Sequence, residues 1–281
     1  MLQKNTVSSL LLLAWGCSFG LLLTACGGSD FEPQITAVKA VTLQYGKTAN
    51  IQVGGVHLRS SVQADLGAGC PKPVFASYSN TEMLYINCPV ETTGDLPLII
   101  KSASGDVLFS TTLVVPQPQV KLTTSLGDIT LELNPAAAPG TVKNFLNYVQ
   151  QGYYKDTVFH RVIPSFVVQG GGYTTGMVPK PGQAKPISLE TPNGLLNLRG
   201  TLAMARTNAA DSATSEFFIN LVDNPTLDYR SQRNPGYAVF GKVVKGLGVA
   251  DTLATQTTTT VKGFENVPTT DVTITAAKQI Q

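Results

Sequence analysis

The feature that constrains this chain most is a hydrophobic period of two, restarted many times and interrupted by turn residues. In its second half Val120 and Leu122 alternate with polar neighbours, Ser125-Leu126-Gly127-Asp128 supplies a turn, and Ile129, Leu131 and Leu133 alternate again. Successive side chains of a strand point to opposite faces, so such a run buries one face and solvates the other. The two runs predict a hairpin. Further strands are predicted at 157–162, 166–169, 201–205, 216–221, 238–243 and 271–276. Only two stretches carry a helical pattern. Val142, Phe145, Leu146 and Val149 fall at i, i+3, i+4 and i+7, between Pro139, which suits a first turn, and Gly152, which suits an end. A shorter helix fits 247–253. About eight strands with two helices predict a closed antiparallel barrel whose open ends are covered by the helices.

No internal repeat links this region to the first half of the chain, which reads separately. There, β-rich runs at 35–41, 49–53, 82–87, 96–102 and 107–115 are separated by Tyr45-Gly46-Lys47, Gly54-Gly55, Gly94-Asp95 and Ser104-Gly105-Asp106. Short strands with glycine turns and no useful helical period predict a small β-sandwich over 33–115. Pro116 and Pro118 each remove a backbone donor and favour an extended course, so 116–119 reads as a semi-rigid spacer ahead of a barrel domain at 120–277. With 281 residues, 43% of them hydrophobic and 14% charged, the chain has material for both cores.

The N-terminal MLQKNTVSSLLLLAWGCSFGLLLTACGGSD places Lys4 before an apolar run that ends at Leu23-Thr24-Ala25-Cys26. It resembles a bacterial lipoprotein signal. The resemblance implies removal of 1–25, lipidation of Cys26, and a flexible tether over 26–32. Acyl chains contribute about 0.8 kcal/mol per buried methylene, enough when multiplied to hold the protein on a membrane. Gly27, rather than an aspartate, follows the cysteine, which by the same resemblance implies the outer membrane and a periplasm-facing protein. The alternative is an uncleaved membrane helix. Export would place Cys70 and Cys88 where disulfides persist, and pairing them closes a loop of roughly 18 residues, worth about 3 kcal/mol in the chain-entropy model. Two buried free thiols are the other reading. The surroundings GAGCPKP and YINCPVE contain no CxxC for metal or redox work.

Several function classes lack support. Lys and Arg number 20 against 18 Asp and Glu, a net charge of +2 with no dense basic run, so no nucleic-acid partner is expected. Gly170-Gly171-Gly172 is not followed by Lys-Ser/Thr and reads as a tight bend rather than a phosphate cradle. There is no GxSxG elbow, and 2 histidines are too few for a His-based metal site; His57, in GGVHL, reads as a turn or surface residue. No metal and no cofactor are expected.

Four stretches in order, FHRVIPSFVVQGGGY (159–173), RGTLAMART (199–207), SATSEFFINL (212–221) and YAVFGKVVKG (237–246), resemble the cyclophilin-type peptidyl-prolyl isomerases. The resemblance covers the barrel region and implies the fold already read from its period. It also implies a set of roles. Arg161 is the catalytic donor; Phe166, Val167, Phe218 and Leu227 line a proline pocket; Gln169 bonds the substrate backbone. Ala205 and the backbone of Arg206 lie along the peptide groove with Met204 nearby, Tyr237 stands where many eukaryotic relatives carry His, and His160 shapes the site. The bland alternatives are barrel core for Phe166, Phe218 and Leu227, a strand-end cap for Gln169 and a surface ion pair for Arg161. Thr226 stands where Trp or Phe is common, which implies weakened cyclosporin binding; Val167 replaces a common Met and Ser165 a common Gly.

PQITAV, YGKTANIQVGGVHL, SNTEMLYINCP and TGDLPLIIKS resemble a TIG/IPT-type immunoglobulin-like domain. Together the three resemblances imply a lipid-anchored isomerase acting on proline-containing segments of exported proteins, with an envelope partner or a positioning role for the first domain. The alternatives are a membrane-tethered proline-peptide binding or chaperone module with little turnover, and an envelope scaffold in which the isomerase is ancillary.

Overall fold

The computed structural model describes residues 32–58 and 62–281, so the lipoprotein-like leader and Cys26 lie outside the described residues. No helix among the described residues is long and apolar enough to cross a membrane.

Among the described residues seven strands precede the spacer: β1 (Gln34–Thr42), β2 (Thr48–Val56), β3 (Gln63–Asp65), β4 (Val74–Phe75), β5 (Met83–Pro89), β6 (Gly94–Lys101) and β7 (Val107–Val115). They form one sheet in the order β1-β2-β5-β4 and another in the order β3-β6-β7. Alternation decides which side chains go inward. Leu84, Ile86 and Cys88 of β5 and Leu96, Leu98 and Ile100 of β6 are all buried, while the residues between them are more exposed. Cys70, in the loop before β4, is disulfide-bonded to Cys88 of β5, with their Cα atoms 5.7 Å apart. Strands β3 and β4, at 3 and 2 residues, are too short for a period to reveal them.

Residues 116–118 have no regular structure, and the barrel begins directly after them. Its elements are β8 (Gln119–Thr124), β9 (Gly127–Leu133), α1 (Pro139–Gln150), β10 (Thr157–Ile163), β11 (Val167–Gly170), β12 (Tyr173–Thr174), β13 (Val178–Pro179), β14 (Thr201–Met204), β15 (Phe217–Asn220), β16 (Val239–Lys245), α2 (Leu247–Ala254), β17 (Thr258–Val261), β18 (Phe264–Pro268) and β19 (Thr273–Gln279). Eight of these strands close into an antiparallel barrel in the order β10-β11-β15-β14-β16-β9-β8-β19. The mostly β architecture and the closed barrel with two helices are those expected from the period. The hairpins β12–β13 and β17–β18 are additions that the pattern did not reveal.

Helix α1 packs into the barrel through Phe145, whose ring lies 5.1 Å from Tyr154, 5.6 Å from Phe217 and 5.3 Å from Phe240. Its N-cap, Ala138, offers no side-chain oxygen. The carboxylate of Glu190 takes over that task from a distant loop, accepting from Gly140 N at 2.9 Å, Thr141 N at 2.8 Å and Thr141 Oγ1 at 2.6 Å. A negative charge at this end also suits the helix dipole. Gln279 at the end of β19 donates to the carbonyl of Tyr45 at 3.0 Å, joining the last barrel strand to the turn between β1 and β2.

Candidate active site

Directly paired residues of neighbouring antiparallel strands share a sheet face. Arg161 pairs with Gln169, Gln169 with Phe218, Phe218 with Ala203, and Ala203 with Val239. This row crosses five strands, and it lies on the outside of the barrel. The residues between them in sequence, Val162, Val168, Ile219, Leu202 and Phe217, belong to the interior core. An outer face would ordinarily be polar; here Val167, Ala203, Ala205, Phe218 and Val239 form a second apolar cluster, with Phe166, Leu195, Leu227 and Tyr237 packed against it. The barrel therefore carries a greasy patch on its solvent side, and Arg161 stands at its edge.

A bulge sets the direction of that arginine. The β10–β11 register shifts between Phe159 and Arg161, so two residues of β10 face one step of β11. Bulges re-aim side chains in this way beside functional sites. Thr157, Val158, Phe159 and His160 are consequently all buried in sequence, and Arg161 is half-buried.

Nine of the residues proposed from sequence meet around one cavity of about 160 Å³: Arg161, Phe166, Val167, Gln169, Ala205, Arg206, Phe218, Leu227 and Tyr237. It is smaller than the several hundred Å³ of a drug-sized pocket and suits a single side chain. Phe218 meets Tyr237 edge to face at 5.6 Å. Leu227 arrives on the short 3-10 turn Pro225–Leu227, and its carbonyl accepts from Tyr237 N at 2.9 Å, tying two walls together. The Arg206 side chain braces the same wall: its guanidinium stacks 4.6 Å above the Tyr237 ring and donates to Gly236 O at 2.8 and 2.9 Å. Thr226, the middle residue of this turn, is exposed.

Two expected residues go elsewhere. Met204 is 2% exposed and belongs to the barrel interior, because alternation along β14 sends Ala203 outward and Met204 inward, opposite Phe217. His160 is buried one step behind the cavity and does not line it.

The polar side of the site is a chain of bonds. Arg161 Nη1 donates to Gln169 Oε1 at 3.3 Å, the sole hydrogen bond of its side chain among the described residues, and the Arg161 Cζ lies 5.9 Å from the Phe166 ring centre. Gln169 Nε2 donates to Glu216 Oε2 at 2.8 Å, and His160 Nε2 lies 3.2 Å from the same oxygen. Burial pushes the Glu216 carboxyl up, but the contacts from His160 and Gln169 outweigh it and hold the group below its ordinary value. The hydroxyl of Tyr173, whose ring is 4.7 Å from His160, is pushed up by burial and by the Glu216 charge.

Glu216 was not among the residues singled out from sequence. Its signal lay in the glycine triplet: a Cβ at Gly172 would fall 2.5 Å from Glu216 Cγ, so the bend leaves room for the carboxylate. Among the described residues no group of three or more His, Cys, Asp or Glu is placed to hold a metal ion.

The family model described as cyclophilin type peptidyl-prolyl cis-trans isomerase/CLD matches residues 119–279. Over 162 residues the chain is 53% identical to peptidyl-prolyl cis-trans isomerase A of Dickeya dadantii, covering 58% of this chain and 84% of that protein. It is 52% identical over 149 residues to a peptidyl-prolyl cis-trans isomerase of Acinetobacter baylyi, 53% of this chain and 78% of that one. With peptidyl-prolyl cis-trans isomerase B of Escherichia coli it shares 48% identity over 153 residues, 54% of this chain and 93% of that one.

Proposed function

The chain belongs to the cyclophilin-type peptidyl-prolyl cis-trans isomerase family and is an enzyme of that activity, and from this premise we propose that it turns X-Pro bonds of exported proteins with Arg161 as its catalytic residue, held at the cell envelope by a lipidated Cys26. One observation carries the catalytic reading: a guanidinium fixed by Gln169 at the edge of a small apolar cavity on the outer face of the barrel.

Rotation about an X-Pro bond breaks no σ bond and calls for no nucleophile and no cofactor. Its barrier of about 18–20 kcal/mol is amide resonance. At the twisted midpoint the prolyl nitrogen turns pyramidal and recovers its lone pair, so a donor aimed there stabilises the transition state more than either planar ground state. Arg161 is that donor. A guanidinium keeps its proton at any working pH, which a histidine in its place would not. The proline ring sits against Phe166, Phe218 and Leu227, and the displaced water strengthens the Arg161 interaction.

Gln169 has two amide hydrogens and two oxygen lone pairs; one of each is used on Glu216 and Arg161, leaving one of each for the substrate backbone. The groove continues past Ala205 and the Arg206 backbone. The cell-envelope part of the reading rests on the leader ending at Cys26 and on the Cys70–Cys88 disulfide, which suits an oxidising compartment. In that reading the β-domain at 33–115 sets the barrel off from the membrane or binds an envelope partner.

The test is prolyl exchange in a short Ala-Pro peptide by NMR, with the full chain and Arg161→Ala. Exchange lost in the variant while peptide binding persists supports catalysis; equal exchange in both refutes Arg161's role. Mass spectrometry of the mature N-terminus tests the anchor: any unmodified residue upstream of Cys26 in the mature protein rules it out.

A further inference from the structure

Beyond Arg161 and Gln169 lies a second hollow of about 390 Å³ that shares these two side chains with the prolyl cavity. Its other walls are of a different character. Glu216 and Glu265 supply two carboxylates, and Tyr173 and Phe264 supply two rings that meet at 5.1 Å. Glu265, Phe264 and Asn266 come from strand β18, which packs along β10 and carries its hairpin up to the site.

Arg161 is the one cation lining the hollow, and its Nη1 is bonded to Gln169; Lys262 belongs to the hairpin turn and is not part of the lining. Two carboxylates share the space with one arginine. His160 lines the same hollow, is 4% exposed, and its Nδ1 has no hydrogen-bond partner although buried. In the neutral tautomer that donates from Nε2 to Glu216, Nδ1 is an acceptor without a donor among the described residues.

We propose that this hollow is an accessory subsite for a lysine or arginine side chain of the client, flanking the X-Pro bond held in the neighbouring cavity. The inference rests on the isomerase reading and names the substrate class it favours. Each part of such a side chain meets a suitable wall. The methylene stem lies along Tyr173 and Phe264, the cationic head meets ring faces and carboxylates, and its N–H groups meet acceptors. The shared wall makes the geometry feasible, since a chain advances about 3.3 Å per residue and a residue next to the bound proline reaches across Arg161 and Gln169.

The experiment compares turnover of Ala-Pro peptides by the full chain, with Lys, norleucine or Glu placed in turn at the two positions before and the two after the Ala-Pro pair. At one of these positions Lys is expected to raise kcat/KM about fivefold to tenfold over norleucine, with Glu below both. In Glu265→Gln the Lys-to-norleucine ratio at that position falls to within twofold of unity. A ratio near unity at all four positions in the wild type, or a preference that persists undiminished in Glu265→Gln, overturns the subsite. Absence of wild-type turnover on the all-alanine reference peptide overturns the isomerase reading instead.

Discussion

Gly172→Ala adds a single methyl group, away from the prolyl cavity, and is expected to disable the site through Glu216. The new Cβ would lie 2.5 Å from Glu216 Cγ and 2.7 Å from both Cδ and Oε1, about 1 Å inside ordinary contact. Gly172 does not have a positive φ, unlike Gly171 at 89°, so alanine fits the backbone and the conflict is purely with the glutamate. That side chain is pinned by Gln169 at 2.8 Å and His160 at 3.2 Å, and moving it by an ångström breaks one or both contacts. A hydrogen bond to a charged group is worth about 1.5–3 kcal/mol. At about 1.4 kcal/mol per factor of ten, transmission of that loss to Arg161 through Gln169 lowers kcat/KM by about tenfold to a hundredfold. Prolyl exchange on the Ala-Pro peptide measures it. A double-mutant cycle identifies the cause, because in a Glu216→Ala background there is no carboxylate to displace and Gly172→Ala should change turnover less than twofold. Full activity in the single variant, or an equal loss in both backgrounds, refutes the linkage from Gly172 to Arg161.

The Glu216 carboxyl titrates below its ordinary value in the folded protein, so its stabilisation is fully present above the unfolded value of about 4.3 and is lost as pH falls through the lower folded value. Thermal unfolding from pH 6 downward should show the wild-type advantage over Glu216→Gln shrinking below about pH 4; a difference that stays constant to pH 2.5 contradicts this. Replacing both Cys70 and Cys88 by alanine should lower the stability of the β-domain by about 2–4 kcal/mol in denaturant unfolding, and a loss below about 0.5 kcal/mol would contradict the constraint on the 18-residue loop. Prolyl turnover by the barrel should survive that change, since neither cysteine lines the cavity.

Much of the architecture was legible because it is local. Val120 to Leu133 alternate whatever surrounds them, and α1 shows its stripe at Val142, Phe145, Leu146 and Val149, all buried as the period requires. The hairpins β12–β13 and β17–β18 stayed hidden because pairs of two to five residues, turned by positive-φ residues such as Lys262 and Gly263, leave no sustained period. Met204 illustrates a subtler limit. In TLAMA every residue after the threonine is apolar, so composition does not say which face is which; only pairing with Phe217 on one side and Phe218 on the other sends Met204 inward and Ala203 outward.

By itself, then, the amino-acid order determined the longer strands, the two helices and the closed barrel, because period and turn chemistry act over a few neighbouring residues, while the residues that converge on the cavity were named through the resemblance of their motifs to a family. The tertiary structure decided which apolar residues face out to make a proline-sized cavity, and the bulge that aims Arg161. It also decided the bonding of Glu216 to Gln169 and His160, 47 residues and more away along the chain. Those features depend on strand register and on contacts across the barrel, where a carboxylate is brought against a glycine bend that leaves space for it.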